Sequence, residues 1–306
     1  MMRKVLTYAM LFLILCTVFC SCSNDEKISD ATEADNNILE SELLLKISAF
    51  NDSAINSKIQ TRGWIKPGAW KRAQVIAADT AGGVSGGKAG FGIGSFFSPA
   101  GAGAGAVIGA IVGAGCGSYM AYANAYWTRA ALKMDMTPQK ATLAYASVLK
   151  EGNIENSVPK DIIVDYPIED KDITLMGAKH NLVLKKLIDN DIKLEKVEDC
   201  FTKEELAVIN SDEYQKVFDK TMSAISNNND ILKIEGDDVT TKVMNLFYEI
   251  LQKYPDNNDD IEYIINKYIE VIKKSNEISD VDKKNIYSGL SIAASSSEFW
   301  EQMELK

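Results

Sequence analysis

The chain has a single histidine, His180, and no cysteine pair at metal-ligand spacing. Neither CxxC nor HExxH occurs, which removes the usual zinc arrangements. Any Ser-His or Cys-His nucleophile would have to be built on that one imidazole. Nothing in "GAKHNLV" around it supports the role, and the local reading is a histidine near a helix start making a short-range hydrogen bond. No stretch alternates apolar and polar residues as a half-buried strand does. Proline is scarce, at six in 306 residues, and only four of the 33 basic side chains are arginine. The net charge is −10; no basic stripe is there to neutralise phosphates, so nucleic acid is excluded as a partner. "GGVSGGKAGFG" (82–92) is not a phosphate loop, because Ala89 follows Lys88 and no strand precedes it. "DNNDD" (256–260) lacks the EF-hand order and reads as a solvated helix cap. No cofactor, metal or enzymatic chemistry is expected.

A further absence is the most informative. From Ala89 to Thr128 forty consecutive residues carry no charge, and sixteen of the twenty glycines fall between Gly63 and Gly117. They keep a step of four. Gly82, Gly86, Gly90 and Gly94 form one series; Gly101, Gly105, Gly109, Gly113 and Gly117 form another. Between them lies "SFFSPA", broken at Pro99. A step of four keeps residues on one slowly drifting helix face. Glycine there lets a second backbone approach, as in small-xxx-small packing of membrane helices. In isolation such helices are costly, at about 1 kcal/mol per glycine relative to alanine. Two helices joined at Pro99 are therefore expected to form a hairpin. The second is the better span, since Asp79 and Lys88 interrupt the first. Two plainer readings stand beside the membrane one: a hairpin buried within this protein, or a permanent structural zipper.

The flanks are basic and aromatic. "GWIKPGAWKRA" (63–73) carries Trp64 and Trp70, and "YMAYANAYWTR" (119–129) carries Tyr126 and Trp127. Such residues favour membrane–water interfaces.

At the N-terminus, Arg3 and Lys4 precede an apolar run, Val5–Phe19, which reads as an export signal. "VFCSC" resembles a bacterial lipobox, so residues 1–22 are expected to be a lipoprotein signal peptide with Cys22 as the lipidated cysteine. "SNDEK" after it resembles the short acidic signal of surface-exposed Bacteroidetes lipoproteins. Residues 23–62 are expected to be an acidic tether and pro-segment. In it 23–37 is flexible, 38–50 a short amphipathic helix, and 51–62 an exposed loop. Cys116 and Cys200 remain after processing, and they form either one disulfide or two small buried apolar residues.

Residues 133–306 read as helical. Pro138 at a first helical position, a capping box at Thr202 and Glu205, and a capping pair at Ser279 and Asp282 mark helix starts. Val243, Leu246, Phe247, Ile250 and Leu251 share one face, as do Ile261, Ile264, Ile265, Tyr268 and Ile272. The fold class expected is all-α: a glycine-rich hairpin (63–132) plus a C-terminal antiparallel bundle, preceded by signal and tether.

Residues 63–128 resemble glycine-rich class II bacteriocins, with an aromatic, basic start followed by a Gly/Ala-rich membrane-active region. With the signal, the tether and "QTRGW", the first 130 residues or so resemble the proteolytically activated, bacteriocin-like lipoprotein toxins of gut Bacteroidales. The resemblance implies an outer-membrane surface lipoprotein whose processed part is released. It also implies an arginine-specific protease cutting after Arg62, before Gly63, with Arg129 a candidate second site. The toxin part would insert into the bacterial membrane of a target, and 133–306 would bind a cell-surface receptor or shield the hairpin. The alternatives are a structural or interaction outer-membrane lipoprotein with a glycine zipper, and an immunity or exclusion lipoprotein.

Overall fold

A computed structural model describes residues 29–62, 67–126, 136–158, 162, 164–167, 170–192, 196–227, 231–255, 257–276 and 278–304. The signal peptide, Cys22 and the boundary at 132 lie outside these. Among the described residues the protein is all-α, with ten α-helices and no strand. They are α1 Ser29–Arg62, α2 Pro67–Ser95, α3 Pro99–Tyr126, α4 Pro138–Glu151, α5 Lys171–Ile188, α6 Lys203–Ile209, α7 Asp212–Ser226, α8 Val239–Lys253, α9 Asn258–Lys274 and α10 Asp280–Glu304.

The C-terminal starts follow local chemistry. Thr137 accepts a hydrogen bond from the Lys140 amide ahead of Pro138, and Thr202 with Glu205 forms a complete capping box. The Asp282 amide is capped by the Ser279 hydroxyl. Helix α4 ends on Gly152 in the left-handed region, at φ 71°, where glycine pays no Cβ penalty. The apolar faces of α8 and α9 are buried, with Val243, Phe247, Ile250, Leu251, Ile261, Ile264, Ile265, Tyr268 and Ile272 inside. Leu43–Lys306 forms one compact unit. Within it the C-terminal helices pack on one another and around the α2–α3 hairpin. Helices α5, α7 and α10 pack on it, and α10 crosses α5 closely at Gly177, where a Cβ would strike Ser291 and Ser295.

The segment before the hairpin differs from expectation. Residues 29–37 are helical rather than a tether, and 51–62 continue the same helix instead of forming a loop. No proline or glycine interrupts 29–62, and the buried face runs on through polar residues: Leu43, Ile47, Asn51, Ala54 and Lys58 are all buried. Asn51 and Lys58 stand on that face at helical spacing, so hydropathy alone hides it. Asn51 donates to the Leu246 carbonyl (2.8 Å) and accepts from the Tyr268 hydroxyl (3.1 Å). Lys58 pairs with Asp260 at 2.5 Å, and its ammonium lies 4.4 Å from the centre of the Tyr254 ring. Phe50 packs against Tyr263 and Tyr268. From Leu43 onward, α1 is therefore an integral helix of the compact unit rather than a loop.

Truncating Asn51 strands a buried tyrosine hydroxyl. Asn51→Ala is expected to cost about 1–3 kcal/mol, read as a lowered urea midpoint. Asp52→Ala, on the exposed side of the same turn, is expected to change it by less than about 0.5 kcal/mol.

Candidate functional site: the glycine hairpin

The two glycine series face one another along the hairpin. Gly82 meets Gly113, Gly86 meets Gly109, Gly90 meets Gly105, and Gly94 meets Gly101. In all four pairs a Cβ on either member would lie closer than 3.0 Å to the other's carbonyl oxygen. Gly117 closes the row against the Ala78 carbonyl. Each carbonyl thus points along a facing Cα–H direction, the arrangement of a Cα–H···O contact. The fit is between backbones, and no side chain fits between the two helices at these positions. One zipper carbonyl is claimed from outside as well, since Gly109 accepts from the buried Tyr214 hydroxyl of α7 at 2.9 Å.

Burial changes along the rod. At the base, Ile108, Ile111, Val112, Val75 and Ile76 are almost fully enclosed. Toward the turn, Gly92 and Gly103 have nothing within 4 Å of a notional Cβ, and Ser95 to Ala100 are all exposed. Pro99–Ala123 in α3 is long and apolar enough to cross a bilayer, with mean hydropathy 1.6, and 67% of its most apolar window is buried. A core helix passes the same test, so length and composition do not separate the two roles.

Between residues 73 and 128 the hairpin has only two charged side chains, Asp79 and Lys88, and C-terminal helices hold both. Lys88 pairs with Asp238, the N-cap of α8, at 2.6 Å and also reaches Thr241. Beside it a cavity of about 340 Å³ lies between α2, α7 and α8, lined by Val84, Val217 and Met244 among others. Asp79 is completely buried. The Trp300 indole (3.0 Å) and the Ser296 hydroxyl, both on α10, donate to its Oδ2, leaving Oδ1 without a hydrogen bond.

Ser118 on α3 and His180 on α5 complete this cluster. Asn181 spends its amide nitrogen on the Ser295 carbonyl (2.7 Å), so its Oδ1 must accept from His180 Nδ1 (3.0 Å). His180 Nε2 is then the bare nitrogen and accepts from the Ser118 hydroxyl at 2.7 Å. Asp79 stands 4.0 Å from that same Nε2. A nucleophilic triad would put its carboxylate on Nδ1; here Asn181 occupies that side. Burial pushes Asp79 up to about 7, against the opposing hydrogen bonds of Ser296 and Trp300. Burial also pushes His180 down to about 4. Near pH 6 both are uncharged in the folded protein, so the cluster is a hydrogen-bonded knot joining α2, α3, α5 and α10, not an ion pair. His180 is well inside α5 rather than at a helix start, because α5 begins at Lys171, capped by Asp170.

The other expected site residues are scattered. Arg62 is the last residue of α1; Gly63, Trp64, Trp127 and Arg129 lie outside the described residues, and so does the side chain of Tyr126. Trp70 is 37% exposed. Cys116 and Cys200 are both free. Their thiols face different carbonyls, Thr137 and Ala146, at 3.7 Å each, which corrects the disulfide alternative in favour of two packed thiols. The buried knot was not read from the sequence; its only signal was a lone charge, Asp79, inside an apolar run. No known protein family, curated protein or solved structure matches this chain.

The zipper makes a prediction of opposite signs. Gly90→Ala drives a methyl into the Gly105 carbonyl and is expected to destabilise by about 2–3 kcal/mol. Gly103→Ala, in open space on the same hairpin, is expected to stabilise by about 1 kcal/mol through helix propensity. Chemical unfolding of both variants checks the pair, and a shared sign would refute the close approach.

The knot makes a pH prediction. Asp79 binds its proton more tightly folded than unfolded, so its contribution is full below about pH 4 and is lost as pH rises through about 7. His180 acts oppositely: its contribution is present above about pH 6.5 and is lost as pH falls through about 4. Asp79→Asn removes only the first effect. Its stability relative to the native protein is expected to rise between pH 5 and pH 7 by about 1 kcal/mol per pH unit. A constant difference across that range in urea titrations would count against the buried carboxyl.

Proposed function

We propose that this protein is an antibacterial protoxin, made as a surface lipoprotein and activated by proteolysis, whose glycine hairpin acts on the membranes of related bacteria. One observation carries the reading: the only two charged side chains between residues 73 and 128 are held by the surrounding helices, while the zipper satisfies the hairpin internally. The wrapping helices keep an apolar rod soluble in the precursor. Once separated from them, the hairpin keeps its backbone hydrogen bonds and its glycine contacts, which is what entry into lipid demands.

Activation on this reading needs two events. A cut between Arg62 and Gly63 falls where α1 ends, ahead of α2 at Pro67. It divides the chain, but Leu43, Ile47, Asn51 and Lys58 still hold the anchor-bearing helix in place. Release from the cell surface therefore requires α1 to undock after the cut. The helices of 133–306 serve as shield, and a receptor-binding role on the target belongs to the same proposal.

A second reading has its own support. The hairpin base is as buried as any core, as it would be in a structural lipoprotein whose zipper never opens.

The two readings part in a killing assay on related gut bacteria, using strains that make the native protein or Arg62→Ala. The protoxin is expected to be cut near Arg62 and to kill, with Arg62→Ala whole and at least tenfold less active. Directly after the cut, the two native fragments are expected to co-elute in size exclusion. Native protein that stays intact, cell-bound and harmless to every strain would leave the structural lipoprotein.

A further inference from the structure

The turn joining α2 to α3 is the part of the hairpin that the wrapping helices leave bare. Phe96 is 87% exposed and Phe97 50%, and they are adjacent at its apex. Among the described residues the other exposed large apolar side chains, Leu45, Trp70, Tyr263 and Val281, are dispersed in the chain. Scattered residues of that kind need no explanation; two neighbouring phenylalanines at the end of a rod do.

The turn brings its own hydrogen-bond partners. The Phe96 amide donates to the Ile93 carbonyl (3.2 Å), and the Phe97 and Ser98 amides donate to that of Gly94 (3.1 and 3.4 Å). Ser95 places its hydroxyl on the Gly92 carbonyl (2.7 Å). Ser98 caps α3, accepting from the Gly101 amide at 2.9 Å, and Pro99 has no amide hydrogen to satisfy. The amide hydrogens of the turn and the Ser95 hydroxyl are thus spent internally.

Along the hairpin itself, charge is also kept away. Lys88 is the nearest charged residue on α2, eight positions before Phe96, or about 12 Å along the helix. On α3 no charge follows through Thr128. That clear length matches the ~5–10 Å to which apolar faces sink at the headgroup–acyl boundary. A protein partner would need side chains to interlock with, yet Gly92 and Gly103 on the flanks present none. Lipid needs no such complementarity.

We propose that in the intact, folded protein the Phe96–Phe97 turn enters the interfacial layer of a bilayer, docking the protein end-on before the hairpin base is released. The inference rests on the hairpin's acting on membranes, and it assigns the first contact to two named side chains. Docking requires neither cleavage nor loss of the Asp79 knot, since Phe96 and Phe97 are already outside. Each ring that leaves water is expected to strengthen partitioning about tenfold.

The test uses the chain from Ser23 onward, which has no acyl group, with vesicles of phosphatidylethanolamine and phosphatidylglycerol in a flotation assay. Native protein is expected to float, and Phe96→Ser/Phe97→Ser to lose at least tenfold in partitioning at an unchanged melting temperature, because neither ring supports the core. In Phe96→Trp, the added indole is expected to be quenched by lipids brominated in their acyl chains. Equal flotation of native and double variant, or an unquenched indole, overturns the proposal. So does a native dimer that the double variant abolishes, with vesicles binding neither; the turn would then join two copies. Failure here is separable from failure of the toxin reading. Tip-dependent flotation without Arg62-dependent killing retains the docking and removes the toxin. Undiminished killing by the double variant, with no native flotation, does the reverse.

Discussion

Everything distinctive in this protein depends on how closely two helix backbones approach. Where Gly90 faces Gly105 or Gly86 faces Gly109, a single methyl would occupy the space of a carbonyl oxygen. That distance forbids side chains on the inner faces, and it makes the hairpin a thin rod whose cohesion comes from backbone contacts. The outer faces must then supply the ordinary core. Val75, Ile76, Ile108, Ile111 and Val112 do so, buried against the helices that follow in the chain. One constraint explains both the odd composition of the hairpin and the wrapping architecture around it.

The two ends of the rod are treated in opposite ways. Toward the base, Asp79 is drawn into contact with α10, and Ser118 and His180 add a second tie through α3 and α5; nearer the turn, Lys88 pairs with Asp238 at the start of α8. Removing an isolated carboxylate from water is expensive unless it is neutralised or bonded. Asp79 is buried among hydroxyls, an indole and a neutral imidazole, so its tendency to hold a proton and its hydrogen bonds share the work. At the turn, no such ties exist. Ser95 and Ser98 serve the local backbone, and the phenylalanines are left outside. The rod is thus gripped along its length and bare at its turn.

The helix before the hairpin alters the picture of processing. Viewed as a leader, 23–62 would be discarded once cut. As a helix whose Asn51 and Lys58 bond α8 and α9 partners, its later part is a strap that would outlast the proposed cut. Cleavage would then change the chain's connectivity at once and its packing only afterwards. That separation in time would give a lipid-anchored precursor a cleaved but still docked state.

Much of this was legible in the residues themselves. Periodicity and caps placed the helix starts at Pro138 and Lys203 and the buried faces of α8 and α9, because those signals act within one turn of helix. The glycine step of four announced a close helix pair, since spacing alone sets which residues share a face. The sequence misled where a face was completed by polar residues: Asn51 and Lys58 read as loop until Leu246, Tyr268 and Asp260, about 200 residues away, were seen to satisfy them. His180 misled for a related reason, as its partners Ser118 and Asp79 come from two other helices. What the sequence determined by itself was the helices and the glycine row, because helical spacing is local. Only the tertiary structure decided which charges are buried, which thiols stay apart and which end of the hairpin is bare. Those outcomes depend on desolvation and on partners that chain folding alone brings within bonding distance.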